Sequence, residues 1–258
     1  MKVYWLTQTE EEVPSTNDWL CAEESACFSA LRFAKRKADW RLGRWTAKQA
    51  IATCLRWPSC PGTLAEIEIR ATPSGAPEAK LPGLTTPLSF SLSHRAGRAI
   101  CAVSPVRVKL GCDLELAEER DQAFVTDYFT REEQNLIARV DCEDRPGLLA
   151  LLWSAKESAL KALGQGLRLD TRSVVVMAAL EGQPDISGWS PLQVCCAENQ
   201  IFHGWWRNTD DFVYTIVADP APDCPIALRA PESTLADRDS DLSRVPSMKD
   251  EVPAYVGS

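Results

Sequence analysis

Long apolar runs, paired metal-binding cysteines and a surplus of positive charge are missing from this chain, and histidine is scarce. Each shortage removes a class of protein. No stretch of the 258 residues stays apolar for the length that a membrane-spanning helix needs. The opening Met1-Lys2-Val3-Tyr4-Trp5-Leu6-Thr7 lacks the apolar block of a signal peptide, so it is expected to form a first strand in a cytoplasmic protein. Ten cysteines are present, but there is no Cys-x-x-Cys, and His94 and His203 are the only histidines. Structural zinc is built from those residue types at close spacing, so none is expected. The cysteines are expected to be small buried apolar groups in a reducing compartment. Acidic residues outnumber basic ones 36 to 28, a net charge of −8 that argues against a general nucleic-acid binder. Ser93 is not set in a nucleophile elbow, which argues against a Ser–His–Asp hydrolase.

What is present centres on Leu151 to Gly164, with Leu148 just before it. Leu148, Leu152, Ala155, Ala159 and Leu163 recur at three- and four-residue steps, the stripe of a helix against a core. Pro146 suits the first turn and Gly164 the residue past the end. Trp153, Glu157 and Lys161 lie four apart on another line, presenting a carboxylate and an ammonium one turn apart. Such a pair is common surface support, and a second segment decides how much more to read into it. In Val106 to Leu116, alternation predicts a strand on which Asp113 and Glu115 share a side. Two adjacent acids repel unless a cation, a proton or an arginine lies between them. With Glu157 they would offer three hard oxygen ligands of the kind Mg²⁺ takes, although an Asp-x-Glu at a strand end is often only solvated surface. Gly111 gives room for a turn or for the close approach of a ligand.

Upstream, Arg32 to Lys48 is expected to be a helix with an apolar line through Leu31, Ala34, Ala38, Leu42 and Trp45. Arg41, Arg44 and Lys48 share another line, either a solvated face or a site for an anion that relieves their repulsion. Thr72 to Pro77 is a turn-rich break, and Leu88 to Val103 is expected to be a hairpin turning at Arg95-Ala96-Gly97, with Ser93 and His94 at its mouth. Thr130 and Glu133 form a capping-box start to a helix, and strands are expected over 169–180 and 194–218. From Asp223 the chain is rich in Pro, Ser, Asp and Arg, and a disordered tail is expected there.

Gly111-Cys112-Asp113-Leu114-Glu115, followed by Trp153-Ser154-Ala155-Lys156-Glu157-Ser158-Ala159-Leu160-Lys161, resembles the paired signature of the 4′-phosphopantetheinyl transferases, most nearly the Sfp type. The resemblance extends over most of residues 1–220. It implies an α+β fold of two similar halves packed as a pseudo-dimer, here 1–108 and 109–222 with the tail at 223–258; no repeat is evident in sequence identity. It implies that Mg²⁺ is held by Asp113, Glu115 and Glu157, and that coenzyme A is the co-substrate. Coenzyme contacts are implied for Arg41, Arg44, Lys48, Ser93, His94, Asp113, Lys156 and Lys161, and for the Gly75-Ala76-Pro77 loop. The family often has Gly-Lys-Pro at that loop; with Ala76 here only a backbone role carries over. The implied reaction moves the phosphopantetheine arm to a serine of an apo carrier protein and releases 3′,5′-adenosine diphosphate. Glu157 is base, metal ligand or both, and Lys161 steadies phosphate charge. A monomer is implied, and which carrier is served is not legible. Two other readings use the same residues: a coenzyme A pyrophosphate hydrolase, and a protein that binds coenzyme or carrier without transfer.

Overall fold

The computed structural model describes residues 1–83, 88–164, 169–178, 187–197, 200–209 and 211–229. In chain order the elements are β1 (Tyr4–Thr9), α1 (Ala22–Ala30), α2 (Ala34–Leu55), α3 (Pro61–Glu66), β2 (Glu68–Ala71), β3 (Pro77–Lys80), β4 (Ser89–Arg95) and β5 (Arg98–Ser104). They continue with β6 (Lys109–Leu116), α4 (Gln122–Tyr128), α5 (Arg131–Arg139), α6 (Arg145–Ala162), β7 (Val175–Ala178), β8 (Ser190–Cys195), β9 (Ile201–Thr209), β10 (Phe212–Asp219) and β11 (Ile226–Ala227). One sheet runs β11-β1-β5-β4, a second runs β6-β10-β9-β8-β7, and β2 and β3 form a separate ladder. Among the described residues no helix is long and apolar enough to cross a membrane.

The expected α+β architecture of two similar halves is the one observed. In each half a long helix lies over an antiparallel trio, α2 on β1-β5-β4 and α6 on β6-β10-β9, and each makes its own core. The opposite sheet faces meet in a third core, where Val3, Ile100 and Ala102 of one half pack with Cys112, Leu114 and Ile216 of the other.

The repeat that sequence identity hides is carried by a polar device used twice. Glu24 and Glu133 each occupy the third position of a helix, α1 and α5, inside a capping box closed by Cys21 and Thr130. Each turns its carboxylate inward, accepts a strand N–H (from Ile69 and Val176, both at 3.1 Å) and pairs with a fully buried lysine. Lys48 meets Glu24 at 2.5 Å and Lys156 meets Glu133 at 2.9 Å. Each lysine also donates to two carbonyls, Trp19 and Leu64 for Lys48, Thr171 and Val174 for Lys156. Equivalent residues stand 107 to 109 positions apart (24 and 133, 48 and 156, 69 and 176).

Several expectations move. The α6 stripe is buried as read, with Leu163 half-buried. The apolar line along α2 is buried only from Leu42, because the helix starts at Ala34 and its first turn is exposed. Gly111 makes room for α6 itself rather than for a ligand. A Cβ there would stand 1.8 Å from the Ser158 carbonyl oxygen and 2.9 Å from the Ala162 nitrogen. Gly111→Ala is therefore expected to destabilise the fold by about 3 kcal/mol or more, since backbone cannot give way as a side chain can. Urea denaturation measures this, and an unchanged midpoint would contradict the packing.

The first residues of the expected tail are part of the fold: Asp223, Ile226 and Leu228 donate backbone bonds to Met1, Val3 and Trp5 and add β11 beside β1. The rest of that segment, 230–258, lies outside the described residues, as do 179–180 of the expected strand. Nor are the cysteines uniformly buried: Cys101, Cys112 and Cys196 are, while Cys27, Cys60 and Cys142 are exposed. The exposed three sit in α1, at the start of α3 and beyond α5.

Candidate active site

The chain positions a charged group where β4, β6 and α6 meet. Asp113 is buried mid-strand, and pairing of β6 with β10 sets it opposite Thr215. Thr215 bonds the hydroxyls of Ser154 (2.8 Å) and Ser158 (2.7 Å), which fixes α6 across the sheet. Glu157 and Lys161 are thereby brought towards Asp113. Lys161 Nζ reaches Asp113 Oδ1 at 2.7 Å and the Cys112 carbonyl at 3.1 Å. From the other half, Ser93 donates to the same Oδ1 at 2.6 Å. Asp113 Oδ2 is buried without a hydrogen-bond partner. A buried polar atom left that way costs about 1–3 kcal/mol, so it needs a ligand to be comfortable.

Burial and the neighbouring Asp113 raise the pKa of both remaining carboxyl groups, Glu157 upward and Glu115 to about 7; Lys161 opposes both, and Arg95 and Arg120 oppose the shift at Glu115. Burial alone would lower Lys161, but Asp113 chiefly outweighs it and its pKa is raised. The donor set fits a hard divalent cation: three carboxylates, one with an orphaned oxygen. Their ligand atoms are not drawn together. Among the described residues the group within 4.8 Å of one another is Cys21, Glu23 and Glu68, where Arg70 already pairs with Glu68. Carboxylates repel, and here Lys161 pulls on Asp113 while Arg95 and Arg120 pull on Glu115.

The cations expected to bind coenzyme phosphates are mostly spent on the fold. Lys48 and Lys156 have no exposed surface, so an ammonium there cannot reach a phosphate; both assignments are corrected to the buried pairs above. Arg41 donates to the carbonyls of Pro14 and Thr16 and pins the segment before α1. Arg44 lies over Trp40 (4.9 Å), and its Nε is 3.8 Å from Glu24 but makes no hydrogen bond. Arg32, two residues before α2, and Lys35 and Arg36 in its first turn are exposed and were not among the residues expected to bind phosphate. The signal was that all three precede the first buried position, Leu42. Gly75, Ala76 and Pro77 make the β2–β3 turn, closed by Thr72 N–H to Ala76 O at 2.8 Å, with Gly75 at φ 90°. His94 is exposed at the end of β4, with one edge of its ring beside Gly43 of α2; the water lost to the surrounding protein lowers its pKa from the ordinary imidazole value.

The repeat shows why one half alone carries this set. Leu6 faces Cys101 as Asp113 faces Thr215, and Gln8 faces Ala99 as Glu115 faces Val213. Gln49 and Thr53 follow Lys48 as Glu157 and Lys161 follow Lys156. Every charge has a neutral counterpart.

Residues 109–217, which run from β6 into β10 and contain all these carboxylates, match the model of the 4′-phosphopantetheinyl transferase superfamily. The match covers less than half of the chain and includes all three carboxylates and Lys161. The 4′-phosphopantetheinyl transferase HetI of Nostoc sp. is 28% identical over 121 residues, 44% of this chain and 49% of the relative. The match thus spans about half the length of that curated relative. Among solved structures, Thermotoga maritima holo-[acyl-carrier-protein] synthase aligns at 20% identity over 43% of this chain and 63% of its own, with TM-score 0.34. A holo-(acyl-carrier-protein) synthase from Bacillus anthracis, in complex with CoA (3′,5′-ADP), aligns at 18% identity over 40% and 92%, with TM-score 0.35.

Proposed function

We propose that this protein transfers the 4′-phosphopantetheine arm of coenzyme A to a serine hydroxyl of an apo carrier protein and releases 3′,5′-adenosine diphosphate. The observation that carries this reading is the orphaned Asp113 oxygen, set among Glu115, Glu157 and Lys161 in the segment that matches the transferase superfamily model. Asp113, Glu115 and Glu157 would hold Mg²⁺, which supplies charge neutralisation at the coenzyme's pyrophosphate. Glu157, with its raised pKa, takes the serine proton as the hydroxyl oxygen attacks the β-phosphorus. The bridging P–O bond breaks and its electron pair leaves on the α-phosphate, near the Lys161 ammonium. Ser93, His94, Arg44 and the exposed Arg32, Lys35 and Arg36 are the groups left to meet the remaining phosphates. The cytoplasm, where coenzyme A and carriers would meet, is the proposed site of action.

Intact-mass spectrometry of apo carrier proteins incubated with this protein, coenzyme A and Mg²⁺, with and without chelator, tests the reading. A chelator-sensitive gain of one phosphopantetheinyl group is expected. Coenzyme A cleaved with no carrier modified would replace the transferase by a hydrolase, and no change in either would leave only binding.

The pH dependence follows from Glu115. Its carboxyl keeps a proton until about 7, and only the ionised form can ligate a cation. Apparent Mg²⁺ affinity is therefore expected to fall as pH drops from 8 to 6, and Glu115→Gln to flatten that slope. Transfer rates titrated with Mg²⁺ at both pH values check it.

A further inference from the structure

Two arginines reach the carboxylates from outside the elements that build the set. Arg95 ends β4 and is fixed by the tight turn after it, where Ala96 and Gly97 take φ of 48° and 75°. Arg120 follows β6, and its guanidinium lies 5.1 Å over the Phe124 ring. Both touch one oxygen of Glu115, Arg120 at 3.2 Å and Arg95 at 3.7 Å. Both also touch one oxygen of Glu118, at 3.0 Å and 2.5 Å. The shorter contact of each arginine goes to Glu118.

We propose that Arg95 and Arg120 are a removable counter-charge on Glu115, and that Glu118 receives them when a divalent cation takes Glu115. The inference rests on the cation reading above, since a cation is what displaces them. The Glu115 side chain is only 14% exposed, and a carboxylate so enclosed needs a partner while no cation is bound. Arginine cannot discharge, so an arriving cation meets two fixed positive charges at the ligand it needs. Because Glu118 already holds both guanidinium groups, each gives up only its longer contact and none is left unpaired. The two arginines thus balance Glu115 until a cation arrives, and cation entry needs a small shift in place of an arginine's desolvation. Glu118 thus favours cation binding without being a ligand.

Mn²⁺ binding to the full chain, followed by the electron paramagnetic resonance signal of free Mn²⁺ with no coenzyme or carrier present, tests this up to millimolar Mn²⁺. Arg95→Gln and Arg120→Gln are each expected to bind Mn²⁺ roughly 3- to 5-fold more tightly, and Glu118→Gln to bind it roughly 3- to 5-fold more weakly, the upper part of the range for partly exposed ion pairs. A bare change of nearby charge would give the same signs, so the cycle decides. In the Arg95→Gln/Arg120→Gln background, Glu118→Gln is expected to shift the affinity less than about 2-fold, because its effect passes through the arginines. A full-sized loss in that background overturns the proposal, as does unchanged affinity in the arginine variants. Asp113→Asn separates the two levels: if it leaves Mn²⁺ binding intact, or the unaltered chain binds none, the cation reading fails and takes the proposal with it. If Asp113→Asn abolishes binding and the cycle is additive, only the counter-charge role fails.

Discussion

Glu157→Gln is expected to lower phosphopantetheinyl transfer by about 10²- to 10⁴-fold, the range for loss of a general base, while coenzyme A still binds. The substitution keeps the size and half-buried position of the side chain and removes only its capacity to carry charge and take a proton. Thr215, Ser154 and Ser158 hold α6 independently of Glu157, so the fold should survive. Coenzyme affinity, measured by titration calorimetry, should change little if the phosphates rest on the basic groups of the N-terminal half. Mn²⁺ affinity measured on the same variant separates the two roles of this carboxylate. A large loss of affinity makes Glu157 a ligand first, and an unchanged one leaves proton transfer as its task. Normal transfer by the variant would remove Glu157 from the chemistry altogether.

The carboxylates were legible because local periodicity alone assigns their faces. A period of two puts Asp113 and Glu115 on one side of β6, and a four-residue step sets Glu157 and Lys161 one turn apart on α6. The lysines were misread because charge in a sequence does not reveal a buried partner. Lys48 shares a helical line with Arg41 and Arg44, and nothing local distinguishes an ammonium that meets a ligand from one that meets Glu24. The capping box Thr130–Glu133 was visible, but that its capping oxygen also meets Lys156 and its other oxygen accepts from Val176 N–H needs the packing of α5, α6 and β7. Cys21 caps α1 where Thr130 caps α5, and an unlike cap on an unlike surface hid the repeat. Arg95 escaped notice because it pairs across halves with Glu118, 23 residues away in sequence.

Lys156→Met is expected to destabilise the protein by about 3–5 kcal/mol, the cost of leaving a buried carboxylate without its counter-charge. In a domain of this size that is a fall of about 10 °C in Tm, readable by thermal or urea unfolding. Burial pushes the Lys156 ammonium down from its ordinary pKa, and Glu133 pulls it back, so the pair stands or falls together. The double variant Lys156→Met/Glu133→Gln should recover part of the loss, since no bare charge is then left inside. Lys48→Met, which strands Glu24 in the same way, should cost a similar amount although it lies in the other half. The folded Lys156→Met protein, assayed well below its Tm, should retain its KM for coenzyme A within about 3-fold, since binding lost with a contact of this kind would show directly in KM. A KM raised ten-fold or more at unchanged stability would return Lys156 to the coenzyme, and the duplicated ion pair would then be structural in one half only.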